Sequence, residues 1–137
     1  MKTLREYTEE KQSALFEQTG SFFAFGSQQF KEKRKEGVEY IDAGHNLVCP
    51  KSTAQRLLSG LNTIAKEGMI MDVEENGAAA IIQREYFNYE TQISMDSSDV
   101  DAALKSYIDL FPELFTEQLM KETYSNCFNL AIENDWF

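Results

Sequence analysis

A mainly α-helical fold of the α+β class is what this 137-residue chain predicts: one domain, 1–137, of five to six helices with a small β-hairpin inserted before the third. Three observations predict it. Apolar residues recur at helical spacing through most of the chain. Only "VEYI-DAGHN-LVC" shows two short β-prone runs around a polar, glycine-containing turn. The length suits one core and not two, and 2 prolines, 7 glycines and the absence of any linker argue for a compact globular chain.

Residues 3–18 read as the first helix. Thr3 and Glu6 have capping-box spacing, Leu4, Tyr7, Ala14 and Leu15 share a face, and Gly20 closes it. "FFAF", residues 22–25, is too short to divide between strand and turn. Ser27 is placed to cap a second helix, "QQFKEKRKE", that Gly37 ends. After the hairpin, Pro50 and the pair Ser52 and Gln55 open an amphipathic helix carrying Ala54, Leu57, Leu58, Leu61, Ile64 and Ala65. Gly68 stands where that helix ends or bends. A further long helix is expected from Met69 to about Ile93, with two neighbouring apolar stripes that make it central. Ser97 or Ser98 caps the next helix, with Val100, Ala103, Leu104, Tyr107 and Phe111 on one face, and Pro112 stops it. Thr116 caps the last, whose stripe runs through Leu119, Thr123, Cys127 and Ala131.

Charge is unevenly distributed. Residues 1–84 carry 11 basic and 12 acidic side chains, whereas residues 85–137 carry 2 and 11, so nearly all of the net −10 lies in the last part of the chain. Such a surface repels nucleic-acid phosphates and favours a basic protein partner. No apolar run reaches the roughly 18–20 residues of a membrane span, and the N-terminus has no signal-peptide core. Two distant cysteines point to a reduced, cytoplasmic setting.

Sites of chemistry are few. His45 is the single histidine, and no paired cysteine spacing exists, so neither a metal nor a cofactor is expected. His45 with Cys49 makes one candidate nucleophile pair, since Cys49 precedes a helix start where a thiol pKa is lowered. Glu85 is a candidate carboxylate on the central helix, while Asp72, Glu75 and Asn76 lie near that helix's start, where acidic groups are favoured without any catalytic role. Phosphate loops, nucleophile elbows and kinase signatures are absent. Lys31, Lys33, Arg34 and Lys35 follow the aromatic stretch "GSFFAFGSQQF" on the second helix; Glu32 and Glu36 dilute the patch, which suits pairing with the acidic C-terminal half, within the chain or between subunits, better than nucleic acid. Within the aromatic stretch, Phe25 and Phe30 with one of Phe22 and Phe23 are expected to fill core.

"FFAFGSQQF", "GHNLVCPK" opening a helix, and "DVEENGAAAIIQRE" resemble a family of small uncharacterised proteins from bacteria, phages and other mobile elements. The likeness spans roughly residues 20–90. It implies a self-standing domain of mobile-element origin and supplies no catalytic residues.

The leading expectation is therefore a small non-enzymatic accessory protein acting through protein–protein contact. Its contact residues are expected among Lys33, Arg34, Lys35, Asp109, Glu113, Glu117, Trp136 and Phe137, the two terminal aromatics also offering a surface to a second copy of the chain. Two alternatives stand beside it: an acidic nucleic-acid mimic that inhibits a DNA-binding or defence enzyme, and a cysteine- or carboxylate-dependent enzyme.

Overall fold

Thr3 starts α1 (Leu4–Thr19) as its spacing predicts, its hydroxyl accepting the Glu6 N–H at 3.4 Å, and Gly20 ends the helix in the left-handed region at φ 73°. The computed structural model describes residues 1–137. After α1 come β1 (Phe22–Phe23), α2 (Ser27–Lys33), β2 (Tyr40–Asp42), β3 (Leu47–Pro50), a 3₁₀ turn (Lys51–Thr53) and α3 (Ala54–Asn76). Then follow α4 (Ala78–Asn88), α5 (Thr91–Ser94), α6 (Ser98–Leu110) and α7 (Glu117–Asn134). The mainly helical class with a small β element is what the structure has, with seven helices in place of five to six. The chain divides into two compact units, Lys2–Gly68 and Met69–Phe137, the division falling inside α3.

In the first unit the expected hairpin forms and gains a third strand. The order is β1-β3-β2, all antiparallel, with Ile41 opposite Cys49 and Phe22 opposite Val48. Leu47 and Cys49 of β3 meet Leu15 of α1 and Leu57 and Ile64 of α3 in a buried cluster. Two glycines let α1 and α3 approach. A Cβ at Gly60 would lie 2.7 Å from Leu15 Cδ2, and one at Gly68 would lie 2.5 Å from Thr8 Cγ2.

Gly68 thus neither ends nor bends a helix; α3 runs through it, and the break comes at Gly77, where φ is 80° and ψ 160°. Only glycine enters that conformation without strain. The expected long helix from Met69 to Ile93 is accordingly three pieces: the end of α3, α4, and the single turn α5. Ser27 is likewise not a cap. Gly26 holds the N-cap position, Gln29 Oε1 accepts the Phe25 N–H at 2.8 Å, and α2 stops at Lys33, short of Gly37. Leu58, expected on the buried stripe of α3, is exposed.

The aromatic stretch splits. Phe22, Phe30 and Tyr40 form a half-buried cluster with ring centroids 5.5–6.3 Å apart. Phe25, by contrast, is 69% exposed and stacks on the exposed face of Phe23 at 6.5 Å. Successive residues of a strand point to opposite faces, so Phe22 and Phe23 cannot both turn inward, and Phe25 does not join the core as expected.

In the second unit α4 packs against α5, α6 and α7. Ile81, Ile82 and Tyr86 of α4, Val100, Leu104 and Tyr107 of α6, and Cys127 and Ala131 of α7 are buried, as is Phe115 of the connecting turn. Ser97 holds the N-cap position of α6, as expected, but its hydroxyl makes no capping bond; the Ser98 N–H is accepted instead by Asp96 Oδ1 at 3.0 Å. The helix ends at Leu110, two residues before Pro112. Thr116 caps α7 as expected, its hydroxyl accepting the Leu119 N–H at 3.2 Å. No helix is long and apolar enough to cross a membrane.

Candidate functional site

Polar residues converge most densely in the second unit, around Asp72. This carboxylate is wholly buried near the end of α3. Arg84 of α4 reaches it bidentately, Nη1 to Oδ1 at 3.0 Å and Nη2 to Oδ2 at 2.9 Å. Asn76 Nδ2 donates to Oδ1 at 2.8 Å and the Tyr107 hydroxyl to Oδ2 at 2.6 Å. Arg84 Nε is held in turn by Glu85 Oε1 at 2.9 Å. The bend at Gly77 brings α4 back toward α3 and so closes the pair. Burial works against charge on Arg84, but hydrogen bonds to Asp72 and Glu85 outweigh it and raise its pKa further. Burial, then the bond to Asp72, pushes the Tyr107 hydroxyl above the ordinary tyrosine range. Four donor contacts saturate Asp72, which makes this a structural clasp and not a waiting acid or base.

Beside it, α5, α6 and α7 enclose two small clefts that share Ser97 and Tyr124. One, of about 420 Å³, has Asp101, Glu117 and Lys121 in its wall together with Phe115 and Met120. The other, of about 290 Å³, is walled by Tyr86, Thr91, Met95, Ser125 and Phe128. The Tyr124 hydroxyl donates to Asp101 Oδ1 at 2.7 Å, and burial followed by this bond raises its pKa. Tyr86 and Tyr124 lie 5.7 Å apart at 38°.

The first unit has an open groove of about 670 Å³ between α2 and the sheet, lined by Ser27, Phe30, Tyr40, Asp42, His45 and Asn46 among others. Gly44, His45 and Asn46 are all left-handed, at φ 90°, 52° and 66°, a tight turn that puts His45 at the groove.

The proposed nucleophile pair is not assembled. His45 is exposed on the hairpin turn, whereas Cys49 is fully buried on β3, its thiol donating to the Pro50 carbonyl at 3.3 Å. Glu85 is tied to Arg84 and lies in neither cleft. Lys33 donates to the Phe23 carbonyl at 2.8 Å, while Arg34 and Lys35 fall beyond the end of α2 instead of on it. Asp109, Glu113 and Glu117 are exposed on the last turn of α6, the connecting turn and the first turn of α7. Trp136 packs on Phe87 at 5.5 Å and Phe137 on Phe128 at 6.2 Å, with 47% and 60% of their surfaces exposed. No group of three or more His, Cys, Asp or Glu is arranged to hold a metal. Sequence reasoning missed Arg84 and Tyr107 as members of one network. The signal that could have found them is Arg84 itself, a lone arginine beside the apolar stripe of Ile81 and Ile82.

The model of a family of unknown function, DUF7659, matches residues 4–129. The chain belongs to this family. The match extends well past the residues 20–90 that carry the resemblance and takes in α6 and most of α7, so the acidic unit is part of the family's domain. No curated protein and no solved structure matches the chain.

Proposed function

We infer that this family member is a non-enzymatic accessory protein whose second unit binds a basic protein partner. One observation carries the reading: charge follows the structural division. Lys2–Gly68 has 10 basic and 9 acidic residues, whereas Met69–Phe137 has 3 basic and 14 acidic ones. Of those 3, Arg84 is consumed by Asp72 and Glu85, and Lys121 pairs with Glu117 at 3.3 Å. The exposed carboxylates of Asp96, Asp99, Asp109, Glu113 and Glu122 therefore face solvent with little compensation. Such a surface steers cationic partners and repels phosphates. A cytoplasmic setting and a mobile-element origin accord with this reading. Nucleic-acid mimicry is its narrower form, in which the partner's basic surface is one that otherwise holds phosphates.

The test is retention of basic proteins from the native host on immobilised protein across a salt gradient. Retention should fall steeply with salt and be lost in Asp109→Lys/Glu113→Lys/Glu117→Lys. An unchanged set of retained proteins after that triple reversal would overturn the reading.

A further inference from the structure

The two edges of the small sheet are finished differently. The Lys51 N–H donates to the Glu39 carbonyl and the Ala43 N–H to that of Leu47, both at 2.8 Å. In an antiparallel ladder the pairs that exchange hydrogen bonds alternate along each strand. With Ile41 opposite Cys49, the main-chain groups of Glu39, Ile41 and Ala43 therefore turn toward β3, and those of Tyr40 and Asp42 turn away. No group of the chain meets these outward N–H and C=O groups; the bonds nearby run to the side chains, from the Lys35 N–H to the Tyr40 hydroxyl and from the Gly44 N–H to Asp42 Oδ1. On β1 the same alternation, set by the Ala24 N–H on the Asn46 carbonyl, turns Phe23 outward. There Lys33 Nζ covers the carbonyl at 2.8 Å. A lysine laid on an edge closes it to other chains, and β2 lacks such a cover.

The open edge lies along a cavity. Tyr40, Ile41 and Asp42, the whole of β2, line the groove of about 670 Å³, and Ser27 and Phe30 of α2 form its other wall. We propose that this groove takes an extended segment of a partner protein, which adds to β2 as a fourth strand. The outward groups of Tyr40 and Asp42 recur about 7 Å apart, an interval that another extended backbone matches. Tyr40, Asp42 and Val48 share one sheet face, so the segment's residue opposite Tyr40 meets Phe30 and is apolar. Asp42 is the single charged side chain in the lining, with Oδ1 held by Gly44 and Oδ2 open to a donor from outside, so the residue opposite Asp42 is basic. A second copy of β2 would bring Glu39 and Asp42 of both chains into one short ribbon, acid near acid, which disfavours it as the occupant. The groove belongs to the first unit, so the proposal stands apart from the acidic surface of the second.

The blocked peptide acetyl-Thr-Arg-Thr-Val-Thr-amide, titrated into the full chain and followed by amide chemical shifts and hydrogen exchange, tests this. Expected are saturable shifts in the millimolar range centred on Phe30, Tyr40, Ile41 and Asp42, with exchange of the Tyr40 and Asp42 amides slowed. The same peptide N-methylated at its Arg and Val keeps its side chains but loses the main-chain donors, and should not bind. Exchanging its Arg for Glu should weaken binding up to about fivefold, and so should Asp42→Asn, which keeps an acceptor for the Gly44 N–H. Undiminished binding of the N-methylated peptide, unslowed exchange at Tyr40 and Asp42, or no shifts at β2 would each overturn the proposal. Protection of those two amides that rises with protein concentration in the absence of peptide would overturn it too, by giving the edge to a second copy.

Discussion

The guanidinium of Arg84 grips the carboxylate of Asp72 through two parallel hydrogen bonds of 2.9 and 3.0 Å, across the helix break at Gly77. Asp72 is fully buried and the Arg84 side chain 11% exposed, so each charge depends on the other for solvation. Removing one partner from such a pair strands the other. Arg84→Ala should destabilise the second unit by about 3–5 kcal/mol, and Arg84→Lys should recover little, because an ammonium cannot reproduce the two-pronged contact. Tyr107→Phe, which deletes a single donor to Asp72, should cost about 1–3 kcal/mol. Urea unfolding followed by circular dichroism checks all three; a loss below about 1 kcal/mol for Arg84→Ala would show that the clasp contributes nothing net.

Alkali should loosen the same unit. Burial holds the hydroxyls of Tyr86, Tyr107 and Tyr124 above the ordinary tyrosine range and pushes the Cys127 thiol up to about 11. Groups whose folded pKa is raised add stability that is complete below the unfolded value, about 10 for tyrosine, and that is lost as pH rises through the folded one. Melting temperature should thus hold to about pH 9 and fall steeply above about pH 10, with tyrosinate absorbance rising together with unfolding. Full ionisation of the tyrosines in a still-folded chain would contradict this.

The two halves of the aromatic stretch should respond differently to substitution. Phe25→Ser touches an exposed ring and should change stability by less than about 0.5 kcal/mol. Phe22→Ala opens the cluster with Phe30 and Tyr40 and should cost about 2–3 kcal/mol, somewhat below a fully buried phenylalanine. Equal costs in thermal unfolding would mean that the cluster is not the anchor of the sheet.

Deleting Trp136 and Phe137 removes the carbonyl that accepts Gln92 Nε2 at 3.2 Å and the ring against Phe87. A loss of about 1–3 kcal/mol is expected from the stranded Gln92 amide and the exposed Phe87 edge. Sedimentation should be unchanged, because the tail packs on its own unit; a lighter species after truncation would show that a second copy docks there.

How far the residues alone could be read follows from how local each signal is. Thr3, Gly20, Thr116 and the hairpin turn act within four or five residues, and each was placed correctly. Gly68 and Gly77 look alike in sequence, yet the first serves close packing on Thr8 and the second a backbone bend. Nothing within either window distinguishes those uses. Ser27 lost its capping role to Gly26 and Gln29 for the same reason: several residues competed for one position. The site was less legible still. Asp72 and Glu85 were singled out for position on a helix, but Arg84 lies twelve residues from Asp72 and meets it only after the chain bends. The cleft beside α5 is assembled from Tyr86, Thr91, Tyr124 and Phe128 of separate helices, a convergence that no local pattern of residue types reveals. The sharpest gain came from charge, whose boundary moved from residue 85 back to the division at Gly68.

The two free thiols, Cys49 and Cys127, are buried, one in each unit. Neither can meet an alkylating reagent until its surroundings open. The rate at which each is modified in native buffer therefore reports the opening free energy of its own unit. Peptide mass spectrometry can resolve the two sites in one reaction, so the molecule contains a pair of internal clocks. Matching rates would mean one cooperative fold, and diverging rates two that yield separately.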